Sequence, residues 1–234
     1  YIDRVLEVVD RERVAAHAPT VVLDPGNGAG ALTSPTLLRE LGCRVRTINA
    51  QADGHFPGRA PEPVAEELDD LTALVAATDA DLGIAHDGDA DRVVFVDEAG
   101  TFIEGSTALA ALAAEVLTEG DTLVTTANAS RRIVDVAESA RASVEYTRIG
   151  NSYVLRRVRE LAEEGRRVPI AGEGNGGVIY PDYHLGRDGG YVTARFVALV
   201  AGRSASDVVD PFRDYYLERE NVRCDDEATR SSIL

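Results

Sequence analysis

The chain reads as an α/β protein made of two related halves around largely parallel sheets. Three observations carry this: short β-branched runs alternate with segments of helical spacing, the second half repeats the element order of the first, and Gly- and Asp-rich loops follow equivalent strands in each half. With 234 residues and 44% hydrophobic content, the chain can bury one large or two ordinary cores.

The elements follow in order. Ile2, Val5, Leu6, Val9 and Val14 fall at helical spacing, which predicts a helix over residues 1–17 that ends before Pro19. A strand over 20–23 leads into Asp24-Pro25-Gly26-Asn27-Gly28-Ala29-Gly30, then a helix through Leu38 stops at Gly42, and a strand follows over 44–49. Residues 51–63 contain His55-Phe56-Pro57-Gly58-Arg59 and Pro61-Glu62-Pro63, which no regular element continues through, so they form a fixed loop. A helix over 64–77 returns to the apolar run Leu82-Gly83-Ile84-Ala85, a strand covers 93–96, and a helix covers 107–116.

The second half keeps the same order: a strand over 123–126, a helix through Ile133 and Val136, a strand over 144–147, a helix over 153–163, a strand over 168–171 and a helix over 191–200. The loops align as well. His86-Asp87-Gly88-Asp89-Ala90 before the strand Val93-Val94-Phe95-Val96-Asp97 matches Gly172-Glu173-Gly174-Asn175-Gly176 before Val178-Ile179-Tyr180-Pro181-Asp182, allowing a single deletion. This is the pattern of a duplication whose copies diverged.

Composition narrows the function classes. There is no lysine, so all 24 basic residues are Arg, and Schiff-base chemistry, pyridoxal phosphate anchoring and the lysine-bearing phosphate loop are excluded. A net charge of −16 argues against nucleic acid and anionic membrane surfaces as partners. The acidic, Lys-free composition reads as adaptation to high salt, a halophilic trait. No run of about 18 apolar residues offers a bilayer span. Cys43 and Cys224 have no paired spacing, so neither a disulfide framework nor a zinc site is supported and a reducing cytoplasm fits. The chain contains no Met and opens on Tyr1, so further sequence is expected upstream.

The most telling segment is Asp87-Gly88-Asp89-Ala90-Asp91, with Arg92 next. Three carboxylates this close raise one another's pKa unless a positive charge sits among them, and a hard divalent cation with oxygen ligands is the simplest answer. Gly88 and Ala90 are small enough to let the backbone curl. A solvated acidic turn would not explain the hydrophobic strands on both sides. An EF-hand is rejected although Glu98 falls at its twelfth position, because Arg92 stands where Gly is required and 93–96 is a strand. A phosphatase of the haloacid type also opens on two Asp residues at a strand end, but by resemblance to that family it needs a later Lys. In the equivalent loop, Glu173 with Asn175 suits sugar hydroxyls, since the pair accepts from two O–H groups and donates one bond back. The alternative is that both groups cap neighbouring backbone.

Four stretches in the right order carry a family resemblance: Val21-Val22-Leu23-Asp24-Pro25-Gly26-Asn27-Gly28-Ala29-Gly30, Phe56-Pro57-Gly58-Arg59 with Pro61-Glu62-Pro63, the loop Asp87 to Arg92, and Gly172-Glu173-Gly174-Asn175-Gly176-Gly177. On these the chain resembles the α-D-phosphohexomutases, the superfamily of phosphomannomutase, phosphoglucomutase and phosphoglucosamine mutase. The resemblance implies two homologous three-layer α/β/α domains with mixed, mostly parallel sheets. It divides the chain into a helical linker from a preceding domain (1–19), the second family domain with the metal loop (20–103), the third with the sugar loop (104–220), and the start of a fourth (221–234).

The activity implied is transfer of phosphate between O6 and O1 of a hexose phosphate through a phosphoserine, with a hexose 1,6-bisphosphate as intermediate. Asp87, Asp89 and Asp91 would hold Mg2+, and Arg92 would add a charged bidentate contact beside the moving group. Glu173 and Asn175 would grip the sugar, and Arg148 sits where many members face a basic residue to the substrate, the alternative being a surface ion pair. The Ser-His-Asn-Pro type segment with the nucleophilic serine is absent, as is the terminal phosphate-gripping loop, so partner domains of the same protein are expected. Asn175-Gly176-Gly177 replaces the Ser-Gly-His of several bacterial members, which leaves the choice among hexoses open. A metal-dependent sugar phosphatase and a cation-assisted sugar-binding module are the rival classes.

Other features read as structural. Gly26, Gly28 and Gly30 make a turn rather than a phosphate cradle, and His86 is a structural imidazole rather than a ligand. Arg187-Asp188 pair or cap the next helix, with a phosphate contact the alternative for Arg187. Arg131-Arg132, Arg156-Arg157 and Arg166-Arg167 read as solvated helix faces or ends.

Overall fold

A computed structural model describes residues 1–215. The expectation for 221–234 lies outside the described residues. The first half holds α1 (Ile2–Val8), α2 (Arg11–His17), β1 (Thr20–Asp24), α3 (Ser34–Leu41), β2 (Arg44–Thr47), α4 (Asp69–Ala77), β3 (Leu82–His86), β4 (Val93–Asp97) and β5 (Phe102–Ile103). The second holds α5 (Gly105–Val116), β6 (Thr122–Thr126), α6 (Arg131–Ser139), β7 (Ser143–Thr147), α7 (Asn151–Glu163), β8 (Ile170–Gly172), β9 (Val178–Ile179), α8 (Gly189–Val200) and α9 (Ala205–Val209).

The sheets show the duplication directly. The first runs β2-β1-β3-β4-β5 and the second β7-β6-β8-β9. In both, the first strand of the half lies between two parallel neighbours, and an antiparallel hairpin follows on one side. Antiparallel pairing is thus a larger share than expected in the first sheet, where β5 adds a second antiparallel neighbour to β4.

Each sheet is covered on both faces. Val22, Ala85, Val94 and Val96 face Leu71 and Val75 of α4 in the first half, and Val124, Ala171 and Ile179 face Val154, Val158 and Leu161 of α7 in the second. The opposite faces share one core. It joins Leu23, Ile84 and Phe95 of the first sheet to Leu123 and Ile170 of the second through α3, α5, α6 and α8. Helices α5 and α8 are therefore apolar around most of their circumference, as a helix enclosed on all sides must be. Phe95 stacks on Phe196 of α8 with ring centroids 4.0 Å apart, a pair that adds about 0.5–1.5 kcal/mol beyond its burial.

Three local readings change. The single helix over 1–17 is two, because Val9 turns extended and the Asp10 side chain restarts the helix by accepting from Arg13 N at 3.0 Å. Val5, Val9 and Val14 pack into the shared core, so α1 and α2 are part of the fold's packing. The helix expected over 64–77 becomes a 3-10 turn at Ala65–Glu67 followed by α4, with Leu68 buried between them. Arg132 is buried and not solvated, with Nη1 3.1 Å from Glu104 Oε2. Gly42 ends α3 as expected, its φ of 107° letting its N–H reach back to the carbonyls of Leu38 and Arg39.

Candidate metal centre and sugar-binding loop

The hairpin turn between β3 and β4 carries the acidic cluster. Ala90 N donates to Asp87 O at 3.2 Å, and Ala90 takes a left-handed φ of 61°, a conformation a small residue tolerates best. This curl brings one carboxylate oxygen from each of Asp87, Asp89 and Asp91 within 4.8 Å of one another. Asp87 is buried, Asp91 half-buried and Asp89 exposed, so the cluster opens to solvent on one side. Burial, together with the neighbouring Asp87 and Asp89 charges, raises the Asp91 carboxyl against the opposing pull of Arg187. Asp91 Oδ1 is shielded from solvent and has no hydrogen-bond partner. Three convergent carboxylates, with a buried Asp91 oxygen left unpartnered, fit a hard divalent cation. Glu98, the would-be EF-hand ligand, instead accepts from Ser206 N at 3.1 Å.

The loop 24–30 and Arg59 support the turn from below. Ala29 N donates to Gly88 O at 2.9 Å, and a side chain at Gly28 would collide with that same carbonyl. Arg59 is buried with Nε 2.8 Å from Asp24 Oδ2, and its Nη2 donates to His86 O at 2.6 Å. A side chain at Gly26 would strike the Arg59 guanidinium. The glycines of this loop serve close packing. His86 is fully buried, with Nε2 3.0 Å from Ser34 Oγ, and burial holds its pKa below the usual imidazole value.

Arg92 is committed on two sides, with Nε 2.7 Å from Asp87 Oδ2 and Nη1 2.9 Å from Glu62 Oε1. Its backbone N–H also donates to Asp87 Oδ1 at 3.0 Å. The second hairpin turn, between β8 and β9, holds Glu173 buried, with Oε1 accepting from Gly150 N at 3.1 Å. Asn175 is exposed, and its Oδ1 accepts from Gly177 N at 3.1 Å, so its carbonyl is turned onto its own loop. Arg148 is exposed in a separate cavity of about 310 Å³ shared with Tyr153, Arg156 and Glu160. From this segment Gly150 N, and not the Arg148 side chain, reaches Glu173.

The two turns touch. Val93 N donates to Gly176 O at 3.2 Å, and Gly189 N donates to Ala90 O at 3.1 Å. Arg187 joins their side chains, with Nε 2.9 Å from Asp91 Oδ2 and Nη1 3.3 Å from Glu173 Oε2. Beside them a cavity of about 270 Å³ is lined by Glu62, Val94, Phe102, Glu104, Gly174 and Asn175 among others. The three Asp residues border the turn and do not line this cavity. Arg187, Arg59 and Glu62 were within recognisable segments, but no local spacing shows that side chains up to 96 residues apart converge.

The fold and site define a pair of duplicated α/β domains that set a carboxylate triad against a Glu-bearing glycine loop. The chain belongs to the phosphoglucomutase/phosphomannomutase family: residues 1–100 match its alpha/beta/alpha domain II and residues 104–215 its alpha/beta/alpha domain III. It is 46% identical over 220 residues to a phosphoglucomutase/phosphomannomutase of Thermococcus kodakarensis, covering 92% of this chain and 47% of the relative. It is 41% identical over 231 residues to a probable phosphoglucosamine mutase of Methanopyrus kandleri, covering 97% of this chain and 49% of the relative. A crystal structure of a phosphoglucomutase/phosphomannomutase family protein from Burkholderia thailandensis superposes with a TM-score of 0.81 at 28% identity, over 89% of this chain and 45% of that one. The chain thus spans about half the length of the curated relatives it matches.

Proposed function

We propose that these two domains are the cation-binding and sugar-binding part of a phosphohexomutase that moves phosphate between O6 and O1 of a hexose phosphate. The observation that carries this reading is the contact between the two duplicated turns, which sets the triad against Glu173 through Arg187. Family membership supports it, and relatives named phosphoglucomutase/phosphomannomutase and phosphoglucosamine mutase leave either substrate type consistent with it.

In this reading Asp87, Asp89 and Asp91 hold Mg2+, which supplies charge neutralisation where negative charge gathers on the transferring phosphoryl group and its flanking oxygens. Arg92 orients Asp87 through its side-chain and backbone donors, and its guanidinium adds permanent positive charge at the turn. Glu173 accepts from sugar hydroxyls with its carboxylate fixed by Gly150 N–H, and Asn175 offers its Nδ2 donors at the cavity edge. Arg148 is assigned a substrate contact from the neighbouring segment. The phosphoserine and a hexose 1,6-bisphosphate intermediate belong to the same proposal. So does a cytoplasmic setting: Cys43 is a free thiol, and burial pushes its pKa up to about 12, which keeps it unreactive.

The test is an assay of the full-length protein with mannose, glucose and glucosamine phosphates, primed with glucose 1,6-bisphosphate. Mg2+-dependent interconversion of 1- and 6-phosphates is the expected result. Release of inorganic phosphate with no interconversion would establish the phosphatase instead, and equal binding of the unphosphorylated sugar would establish a binding module.

A further inference from the structure

The residue that joins the two turns is a bridge in the reading above, and its surroundings give it a chemical role as well. Arg187 places Nε 2.9 Å and Nη2 2.5 Å from Asp91 Oδ2, and Nη1 3.3 Å from Glu173 Oε2. One guanidinium therefore neutralises a carboxylate from each turn while its side chain stays mostly buried, about 19% exposed. The space it fills is made by a missing side chain, since a Cβ at Gly177 would lie 2.5 Å from Arg187 Cδ.

Its backbone is anchored from both halves. Arg187 pairs with Ile179 of β9, Asp188 caps α8 by accepting from Tyr191 N at 2.9 Å, and Gly189 N donates to Ala90 O of the acidic turn. The side chain thus leaves an anchored backbone, and its guanidinium lies between two carboxylates that share it. Arg187 takes Asp91 Oδ2 and leaves Oδ1 unpartnered, so a cation on this residue shares one carboxylate with the guanidinium, and each positive partner weakens the other's hold on it. Of its five N–H donors, those not used on Asp91 and Glu173 have no partner among the described residues.

We propose that Arg187 couples cation binding to sugar phosphate binding: it shares its charge between Asp91 and Glu173, and turns it to the substrate's phosphate when Asp91 ligates a cation. This rests on the phosphohexomutase reading. It makes Arg187 a phosphate-contacting residue, with the permanently charged, forked geometry that phosphate recognition favours.

The experiment is calorimetric titration of the full-length protein, its serine dephosphorylated, with MgCl2, with and without saturating glucose 6-phosphate and with no bisphosphate present, so that no phosphoryl group is available to transfer. In the natural protein, glucose 6-phosphate is expected to tighten Mg2+ binding about tenfold, within the usual span of site-to-site coupling. In Arg187→Gln the coupling is expected to vanish, and Mg2+ alone to bind several-fold tighter because its competitor for Asp91 is gone. A plain structural bridge gives the reverse: Mg2+ affinity falls with thermal stability, and any coupling survives. Either of those results overturns the proposal. Arg187→Lys serves if the Gln variant does not fold. Its single ammonium cannot span both carboxylates, so coupling should drop below about twofold with Mg2+ affinity kept, and tenfold coupling in this variant would equally overturn the proposal. If the natural protein binds neither Mg2+ nor glucose 6-phosphate, the phosphohexomutase reading itself falls, which separates the two failures.

Discussion

The hairpin turn between β3 and β4 and the one between β8 and β9 occupy equivalent places in their sheets, yet one gathers three carboxylates within 4.8 Å and the other a single buried glutamate. Their supports differ in the same sense. The carbonyl before the first turn, His86 O, accepts from the buried cation Arg59 at 2.6 Å. The carbonyl before the second, Gly172 O, accepts from the neutral Thr125 hydroxyl at 2.8 Å. The two frames share one strand order. Where the turn concentrates charge, its scaffold is charged and buried; where the turn presents one acid, a hydroxyl suffices.

If that contrast is real, the largest effect falls on the charged scaffold. Arg59→Met leaves Asp24 buried without its partner and His86 O without a donor, and should cost about 3–5 kcal/mol of stability in urea unfolding. A cost below about 1 kcal/mol would mean that the first turn does not depend on its buried cation. Next is the triad itself. Asp89 is exposed and makes no hydrogen bond or ion pair among the described residues, so Asp89→Asn should leave stability within about 0.5 kcal/mol. Its Mg2+ affinity, by calorimetry, should fall on the order of a hundredfold.

The matched change in the other turn is Glu173→Gln. It should weaken hexose phosphate binding about tenfold and leave Mg2+ affinity within about threefold, since Glu173 is not one of the converging triad. Equal loss of both ligands in both variants would erase the division of labour between the turns. Smaller still is Thr125→Val, which removes one neutral hydrogen bond and should cost about 1 kcal/mol in the same urea experiment. A loss matching that of Arg59→Met would show that the two scaffolds carry equal weight.

Much of this frame was legible because it is local. The alternation of runs marks the strands, Gly42 marks a helix end, and the aligned loops mark the repeat of element order. What escaped reading was set at long range. Asp10 restarts a helix because Val9 must reach the shared core, and Arg132 is buried because α5 and α6 meet, neither of which periodicity reports. The acidic triad was visible as a spacing, but Arg187 lies 96 residues from its partner Asp91, and its role depends on an unoccupied side-chain position at Gly177. For Asn175 the chemistry allows a sugar contact or a cap on neighbouring backbone, and its Oδ1 accepts from Gly177 N, an Asx turn that leaves the Nδ2 donors for a ligand.

The smallest effect separates the turns by pH. The first contains a buried imidazole, His86, where the second has Gly172, and burial is the main reason the His86 pKa lies below the ordinary 6.5. A depressed pKa means the unfolded chain binds the proton more readily, so the stabilising contribution is full above 6.5 and is lost as pH falls toward the folded value. In buffer with EDTA, unfolding free energy should drop by up to about 1 kcal/mol over the first pH unit below 6.5 through this group alone. His86→Gln keeps a polar group near Ser34 Oγ and carries no titratable proton, so it should flatten that limb of the profile. An unchanged slope in the variant would place the acid sensitivity elsewhere and remove the imidazole from the account of how the charged turn is held.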